Sequence, residues 1–354
     1  IGNDNNLGRL SALRHNAERL GVTNLAVTNQ DARNFSLKPF GDRTEDEKRI
    51  EAFDRALVDA PCSCEGTIRK NPDAFEEWSL SHVEGVAGVQ KGILRRAVDA
   101  TRPGGTVVYA TCTFAPEENE AVVDHALDGG DCELREWEPP EGFDTDPGVT
   151  EWQGETYDSA LELAHRVYPH RNDTGGFFCA KLEVTAENDS HRFDRLPPTA
   201  GDRVVPGRPT RNEVLEWWDD RYGIPPGTWD GHTFWERGNG KLWAFAGDVV
   251  SPVDAEGLGL RILRTRQEHW KPSTNAAQRF GPDATRNVVV LDRKEAARFA
   301  RGDDQDLPRW DGDWGYVIAA HEIAGGVEPI GVGLYLHGEL RSTVPKGRRE
   351  DLQS

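Results

Sequence analysis

Three of the five cysteines lie where a reactive thiol would be placed. The stretch DAPCSC puts Asp59, Cys62 and Cys64 directly after an apolar run, and the stretch YATC puts Cys112 at the end of another. A thiol at the end of a strand, close to the start of a helix, is favoured as the thiolate because the helix dipole and backbone amides stabilise the anion. These positions therefore predict a reactive thiol.

A structural role without reactivity is the alternative for any cysteine of the chain. For Cys132 and Cys179 we expect small buried hydrophobic side chains, and Cys64 is also expected to be inert. A Cys-x-Cys pair without a second Cys or His pair at ligand spacing is a weak metal signal, so no metal site is predicted. Five cysteines at irregular spacing predict a reducing compartment, which favours the cytoplasm.

Strand-like and helix-like segments alternate through the first half of the chain and must position these thiols. Strands are predicted over 24–29, 53–61, 106–112 and 175–184, with helices over 7–20, 76–101 and 116–127. This alternation predicts an α/β domain with a doubly wound, mostly parallel sheet and helices on both faces. Because parallel strands end at one edge of a sheet, we expect Cys62 and Cys112 to face one pocket.

Four motifs in order resemble a known family. DAPCSCEGTIRKNPD and YATCTFAPEENEAVV are similar to the two-cysteine signature of S-adenosylmethionine-dependent RNA cytosine-C5 methyltransferases of the Nop/Sun type. GNDNNLGRLSALRHNAERLGVTNLAVTNQDAR resembles the segment after that family's cofactor loop, and RVYPHRNDTGGFFCAKL resembles its last strand. The resemblance covers residues 1–182 and implies a Rossmann-like methyltransferase domain.

The resemblance implies a role for each residue of the cysteine motifs. Cys112 would be the nucleophile that adds to C6 of a cytosine and makes C5 able to accept a methyl group. Cys62 would assist release of the product, and Asp59 would hydrogen-bond the cytosine edge near N3. The implied product is 5-methylcytosine in tRNA or rRNA, and the base must leave its stack to reach such a pocket.

The resemblance also implies S-adenosyl-L-methionine as cofactor. Asp4 would bind the ribose hydroxyls and Asp31 would lie near the adenine, with Asp59 and Pro61 completing the cofactor site. Without the resemblance, Asp4 is better explained as a helix N-cap and Asp31 as a turn residue.

The family's glycine-rich cofactor loop has no counterpart in this sequence. The chain begins with Ile1 and contains no methionine. We therefore expect an N-terminally truncated product whose first strand and cofactor loop are missing. The alternative is impaired cofactor binding.

The second half differs in composition from the first. The sequence predicts a methyltransferase domain over 1–186, a linker over 187–211 rich in Pro, Gly and charge, and a small mainly-β domain over 212–354 with one or two helices. The tail PIGVGLYLHGELRSTVPKGRR is similar to the PUA-like RNA-binding extension of some family members. Over 260–301 there are ten Lys and Arg against four Asp and Glu.

Basic residues beside an aromatic side chain suit phosphate contact and base stacking. The residues predicted to bind RNA in the second domain are Arg264, Arg266, Trp270, Lys271, Lys346 and Arg348. In the first domain, Arg9 and Lys70 match family positions near the substrate. An ordinary solvated surface is the alternative for such charges, and it carries equal weight for Arg9.

Composition limits the remaining possibilities. A net charge of −19, with few lysines, predicts either a partner other than nucleic acid or a halophilic source, and we favour the latter. We expect a monomer that does not enter membranes. The leading hypothesis is an RNA cytosine-C5 methyltransferase, with a catalytically silent RNA-binding or ribosome-assembly protein second and a DNA cytosine methyltransferase third.

Overall fold

The computed structural model describes residues 1–35, 53–72, 76, 78–185, 209–236, 240–247, 255–266, 269–323 and 325–349. The chain divides into two compact units, one formed by Ile1–Asn29 with Pro197–Ser354 and the other by Gln30–Leu196. The domain limits 1–186, 187–211 and 212–354 remain predictions, and 187–208 of the linker lies outside the described residues.

The described elements are numbered in chain order. The helices are α1 Leu7–Arg19, α2 Leu80–Ala100, α3 Glu120–Leu127, α4 Pro169–Asn172, α5 Arg211–Tyr222, α6 Thr274–Phe280 and α7 Arg293–Arg301. The strands of the first half are β1 Gly2–Asn3, β2 Ala26–Thr28, β3 Phe53–Asp59, β4 Thr101–Thr111, β5 Cys132–Leu134, β6 Asp146–Pro147, β7 Glu151–Trp152, β8 Glu155–Thr156, β9 His165–Val167 and β10 Phe177–Val184. Those of the second half are β11 His232–Glu236, β12 Lys241–Ala246, β13 Ala255–Leu258, β14 Leu260–Arg264, β15 Lys271–Pro272, β16 Val288–Leu291, β17 Gln305–Asp306, β18 Gly315–Ile323, β19 Gly326–Leu336 and β20 Glu339–Ser342.

The unit Gln30–Leu196 is built on a six-stranded sheet in the order β3-β4-β10-β9-β6, with β5 also paired to β10. Strands β3 and β4 are parallel, whereas β10 runs antiparallel to β4, β5 and β9. The sheet is therefore mixed, and its parallel part is the pair that carries the cysteine motifs. Helix α2 packs on it through Ala87, Leu94 and Val98, which recur on one face of the helix.

The strand expected over 53–61 is less buried than its apolar sequence suggests. Val58 and Ala60 are buried, but the side chain of Leu57 is 73% exposed. The reason is position in the sheet, because β3 lies at its edge and pairs only with β4 among the described strands. Helix α3 also differs: it begins at Glu120, so Pro116 lies in the preceding turn and not in the first helical turn.

The N-terminal segment belongs to the other unit. Strands β1 and β2 are parallel, and β2 pairs antiparallel with β13. Helix α1 ends within one residue of the predicted limit at 20, but of its leucines only Leu10 is buried, and Leu7 is exposed.

The C-terminal part of this unit is mainly β, as predicted. It contains the four-stranded sheet β11-β12-β14-β15 and the five-stranded sheet β16-β18-β19-β20-β17. A core rich in aromatic side chains, including Trp218 and Trp229, fills the space between these elements and α5 and α6. The described residues of this part form three α-helices, where the sequence predicted one or two, and its PUA-like character remains a prediction.

None of the described helices combines the length and the apolar character that crossing a membrane requires.

Candidate functional site

The parallel pair β3–β4 brings two cysteine motifs together. Asp59 lies opposite Ala110 in the register, and the amide of Ala60 continues the ladder by donating to the carbonyl of Ala110 at 3.1 Å. After each of these two strands the backbone leaves the sheet at the same edge. The Sγ atoms of Cys62 and Cys112 lie 3.2 Å apart, within hydrogen-bonding distance. The prediction that they share one site agrees with this geometry.

Glycines allow the loops around the thiols to touch. The amide of Gly66 donates to the carbonyl of Cys112 at 2.8 Å, and the amide of Gly176 donates to the carbonyl of Gly66 at 2.9 Å. A Cβ on Gly66 would lie 2.6 Å from the carbonyl oxygen of Gly176 and 2.8 Å from that of Cys112. Because these atoms are backbone, the contact admits no side chain at position 66.

The surroundings of Cys62 shift its pKa. The hydrogen bond with Cys112 and, after it, burial raise the pKa of Cys62 far above its usual value. Cys62 is therefore held as a neutral thiol beside Cys112. Cys62 can therefore offer a proton to the Cys112 sulfur, 3.2 Å away.

Cys64 lies close to the pair, and its thiol is hydrogen-bonded to the backbone. Its backbone is left-handed, with φ 61°, and its Sγ lies 3.2 Å from the carbonyl oxygen of Cys62, to which it donates. Burial raises its pKa. The sulfurs of Cys62, Cys64 and Cys112 all lie within 4.8 Å of one another, so three thiolates could hold a soft metal ion; the absence of a metal remains a prediction.

A buried carboxyl group, missed by the sequence reasoning, fixes the loop that carries Cys62. Glu118 Oε2 accepts hydrogen bonds from the amide of Ser63 at 3.0 Å and from Gln90 Nε2 at 2.9 Å. The same Gln90 nitrogen donates to the carbonyl of Pro61 at 2.7 Å. Burial raises the pKa of Glu118, and its Oε1 has no hydrogen-bond partner among the described residues. Its only sequence signal is its place in PEENE.

Two more carboxylates hold the loop after β4. Glu65 Oε2 accepts from the Thr113 hydroxyl and from the amide of Phe114, each at 3.1 Å. Arg166 donates to buried Glu120 at 2.6 Å and to the carbonyl of Phe114 at 3.0 Å. Both motif loops are therefore fixed by polar contacts as well as by the sheet.

The remaining predicted residues of the unit Gln30–Leu196 lie at its surface. Asp59 and Pro61 are exposed at the end of β3, beside the thiols. Asp31 caps the 3-10 helix Ala32–Asn34 and forms an ion pair with Arg33 at 2.6 Å. It therefore occupies a turn, as expected without the resemblance. Lys70 is exposed in the turn after the 3-10 helix Glu65–Thr67.

Asp4 and Arg9 belong to the other unit, where they bind each other. Arg9 Nε lies 2.9 Å from Asp4 Oδ2, and the amide of Asn6 donates to Asp4 Oδ1 at 2.7 Å. The N-cap of α1 is Asn6 and not Asp4. The alternative expected for Arg9 was a solvated surface charge. Arg9 does lie at the surface, but its charge is paired with Asp4.

The second-half residues predicted to bind RNA are only partly brought together. Arg264 and Lys271 are partners in the β14–β15 register, and Trp270 precedes Lys271. Arg266 is exposed, two residues beyond β14. Lys346 is exposed in the 3-10 helix Lys346–Arg348, and the side chain of Arg348 lies outside the described part of the chain.

Comparison with known proteins points to one family. A family model described as 16S rRNA methyltransferase RsmB/F matches residues 1–183, and a model for a family of unknown function matches residues 181–259. Ribosomal RNA small subunit methyltransferase F of Shewanella denitrificans is 36% identical over 98% of this chain and 70% of its own length. The enzyme of that name from Aeromonas salmonicida is 29% identical over 98% of this chain and 67% of its own length, so the chain spans about two thirds of these relatives.

Solved structures give a weaker likeness. NSun6 from Pyrococcus horikoshii, solved with SFG, is 32% identical over 52% of this chain and 41% of its own, with a TM-score of 0.40. A methyltransferase homologue from the same organism is 31% identical over 51% of this chain and 52% of its own, with a TM-score of 0.42.

Proposed function

This chain belongs to the RsmB/F family of 16S rRNA methyltransferases, and on that premise we propose that it forms 5-methylcytosine in RNA through a covalent cysteine adduct. Among RNAs, the names of its relatives favour small-subunit ribosomal RNA over tRNA. The observation that supports the mechanism is the 3.2 Å separation of the Cys62 and Cys112 sulfurs at the ends of two parallel strands. The cytoplasmic location and monomeric state remain part of this proposal.

Cys112 is the nucleophile in this mechanism. Its thiolate adds to C6 of the cytosine, and the electron pair of the C5–C6 double bond moves toward C5 and N3, so that C5 can take a methyl group. After methylation, the C5 proton leaves to a base, the electron pair re-forms the double bond, and Cys112 departs as thiolate. Asp59, exposed beside the thiols, would hydrogen-bond the cytosine edge near N3, where charge develops.

Cys62 acts on the release step. Because its pKa is raised by its hydrogen bond to Cys112 and by burial, Cys62 keeps its proton. A neutral thiol within 3.2 Å can stabilise Cys112 as it leaves the adduct. Elimination should therefore depend on Cys62, whereas formation of the adduct should not.

S-adenosyl-L-methionine supplies the electrophilic methyl group when bound. The described residues fit this cofactor through their carboxylates, which suit ribose hydroxyls and a cationic sulfonium. Asp59 accepts no hydrogen bond among the described side chains, and the ion pair of Asp31 with Arg33 lies at the surface, where such pairs are weak. Asp31, Asp59 and Pro61, all in the unit Gln30–Leu196, would hold it, and cofactor binding by Asp4 stays an expectation from the resemblance.

The test separates the two cysteines in the protein expressed from its complete reading frame. Cys112→Ala should abolish methyl transfer to labelled small-subunit rRNA and leave no covalent complex on a denaturing gel. Cys62→Ala should instead accumulate a protein–RNA complex, because the adduct forms but is not resolved. Cys64→Ala is the matched control and should turn over normally.

Identical behaviour of the Cys62 and Cys112 variants would overturn these roles. RNA binding by the wild-type protein without any methyl transfer would instead favour the catalytically silent RNA-binding protein.

A further inference from the structure

An aromatic pocket lies in the unit Ile1–Asn29 plus Pro197–Ser354. It has a volume of about 270 Å³ and is lined by Trp217, Arg221, His269, Trp270, Trp314 and Tyr316. These residues come from three separate segments: helix α5, the loop before β15, and the start of β18. Of them, only Trp270 is among the residues predicted from the sequence to bind RNA.

Part of the wall of this pocket is held by contacts within the fold, and one of its aromatic rings is exposed. The Trp217 and Trp270 rings are 5.6 Å apart at their centroids and inclined by 40°, and Tyr222 donates to the carbonyl of Tyr316 at 3.0 Å. Arg221 also donates to that carbonyl, at 2.9 Å. Trp314, in contrast, is 61% exposed. An exposed aromatic ring that lines a cavity is available for stacking on a bound base.

A basic pocket adjoins the aromatic one. It has a volume of about 190 Å³ and is lined by Arg261, Arg264, Lys271, Ser273 and Thr343, among others. Lys271 connects the two, because its Nζ lies 5.5 Å from the centroid of the Tyr316 ring. None of the ion pairs between described residues involves Arg261, Arg264 or Lys271.

These cations stand close together, and Glu18, the described anion that acts on Arg261, compensates its charge only in part. Burial and, after it, the charge of Arg264 lower the pKa of Lys271. The pKa of Arg261 is also lowered, chiefly by burial. A bound phosphate would relieve both effects.

We propose that the aromatic pocket binds one unstacked nucleobase of single-stranded RNA and that the basic pocket binds the adjoining phosphate. Aromatic side chains bind any base by stacking, and the cations bind the backbone. A methylated ammonium ion, which aromatic cages also bind, is disfavoured because Arg221, His269 and Lys271 border this pocket. Asp313 lies 3.6 Å from Arg221 and partly offsets that arginine only.

This inference rests on the proposed function, since it assumes an RNA substrate, but it adds a site remote in sequence from the thiols. The site would hold a flanking nucleotide and would contribute to affinity, not to the chemical step.

The probe is a fluorescein-labelled single-stranded RNA hexamer of mixed sequence, titrated with the full chain and followed by anisotropy. Trp270→Ala and Trp314→Ala should each weaken binding about tenfold, since one stacked base is worth about 1–3 kcal/mol. Trp152→Ala is the control, because Trp152 is 40% exposed but lies in the other unit. It should bind as the wild type does.

A second probe, an abasic hexamer with the same backbone, separates base from phosphate. It should bind the wild type about tenfold more weakly than the normal hexamer, and the tryptophan variants should not weaken it further. Arg264→Gln should weaken both probes and reduce the slope of log K against log salt by about 0.7. Trp314 is exposed, so its variant should fold even if the Trp270 variant does not.

Wild-type affinity of both folded tryptophan variants for the normal hexamer would overturn the proposal. So would equal wild-type affinity for the two probes, or tryptophan-dependent binding of a decaproline peptide without RNA binding. Tryptophan-dependent RNA binding without methyl transfer would leave this site standing and remove the proposed function. Methyl transfer with no effect of the tryptophan variants on RNA binding would do the reverse.

Discussion

Cys62 and Cys112 face each other, and different contacts hold the loops that carry them. Cys62 follows β3 in a loop fixed by Glu118, and Cys112 follows β4 in a loop fixed by Gly66 and Glu65. The sequence could place both thiols at one edge because parallel strands end together. It could not reveal Glu118, because nothing in PEENE shows which of its acids points inward.

Glu118 links proton uptake to stability. Burial raises the pKa of this carboxyl above 4.5, so the folded chain keeps a proton that the unfolded chain releases. The resulting stabilisation is complete below about pH 4.5 and is lost as pH rises through the raised pKa. Glu118→Gln should remove this loss. The free energy of unfolding of the variant should therefore rise relative to that of the wild type as the pH passes through the raised pKa of Glu118. Guanidinium unfolding at several pH values measures it.

Glu118→Ala removes the acceptor as well as the charge. The amide of Ser63 and Gln90 Nε2 then lose a hydrogen bond, and we expect a loss of about 1–3 kcal/mol at every pH. Glu84→Gln, on the exposed face of α2, is the control and should leave the pH profile unchanged. A Glu118→Gln profile parallel to that of the wild type would show that this carboxyl does not titrate differently in the fold.

Among the elements, the loops at the edge of the β3–β4 pair depend on Gly66. A Cβ there would lie 2.7 Å from the Gly176 Cα as well as close to two carbonyls, and backbone cannot move aside cheaply. Gly66→Ala should therefore destabilise the fold by about 1–3 kcal/mol and reduce methyl transfer by displacing Cys112. Thermal unfolding and an activity assay measure the two effects.

Gly85→Ala is the matched control. Gly85 lies in α2 with no atom within 4 Å of its Cβ position, so alanine there should stabilise the helix by about 0.5–1 kcal/mol. If Gly66→Ala were as stable and as active as the wild type, the close approach of the loops would have no role in placing the thiol.

Most elements could be predicted from the sequence, whereas their environment could not. The periodicity of α2 and the alternation around β10 gave their positions to within a few residues. The exposure of Leu57 was not predictable, because an apolar run does not show which strand lies at an edge. The antiparallel course of β10 also depends on pairing between distant segments, which a local pattern does not contain.

In the whole molecule, charge and aromatic residues are unevenly distributed. The chain carries −19, yet Arg261, Arg264 and Lys271 gather at one pocket beside Trp270. The sequence indicated this region through its local excess of basic residues. It could not indicate Trp217 or Trp314, which are distant in sequence and meet Trp270 only in the fold.

The identity of the sulfur that bonds to RNA is the claim on which the mechanism depends. RNA containing 5-fluorocytidine measures it directly, because fluorine at C5 cannot leave as the proton does and the adduct persists. The protein from the complete reading frame is incubated with this RNA and S-adenosyl-L-methionine, digested, and mapped by mass spectrometry. We predict a nucleotide attached to the peptide containing Cys112; attachment at Cys62, or no attachment despite turnover on ordinary RNA, would contradict it.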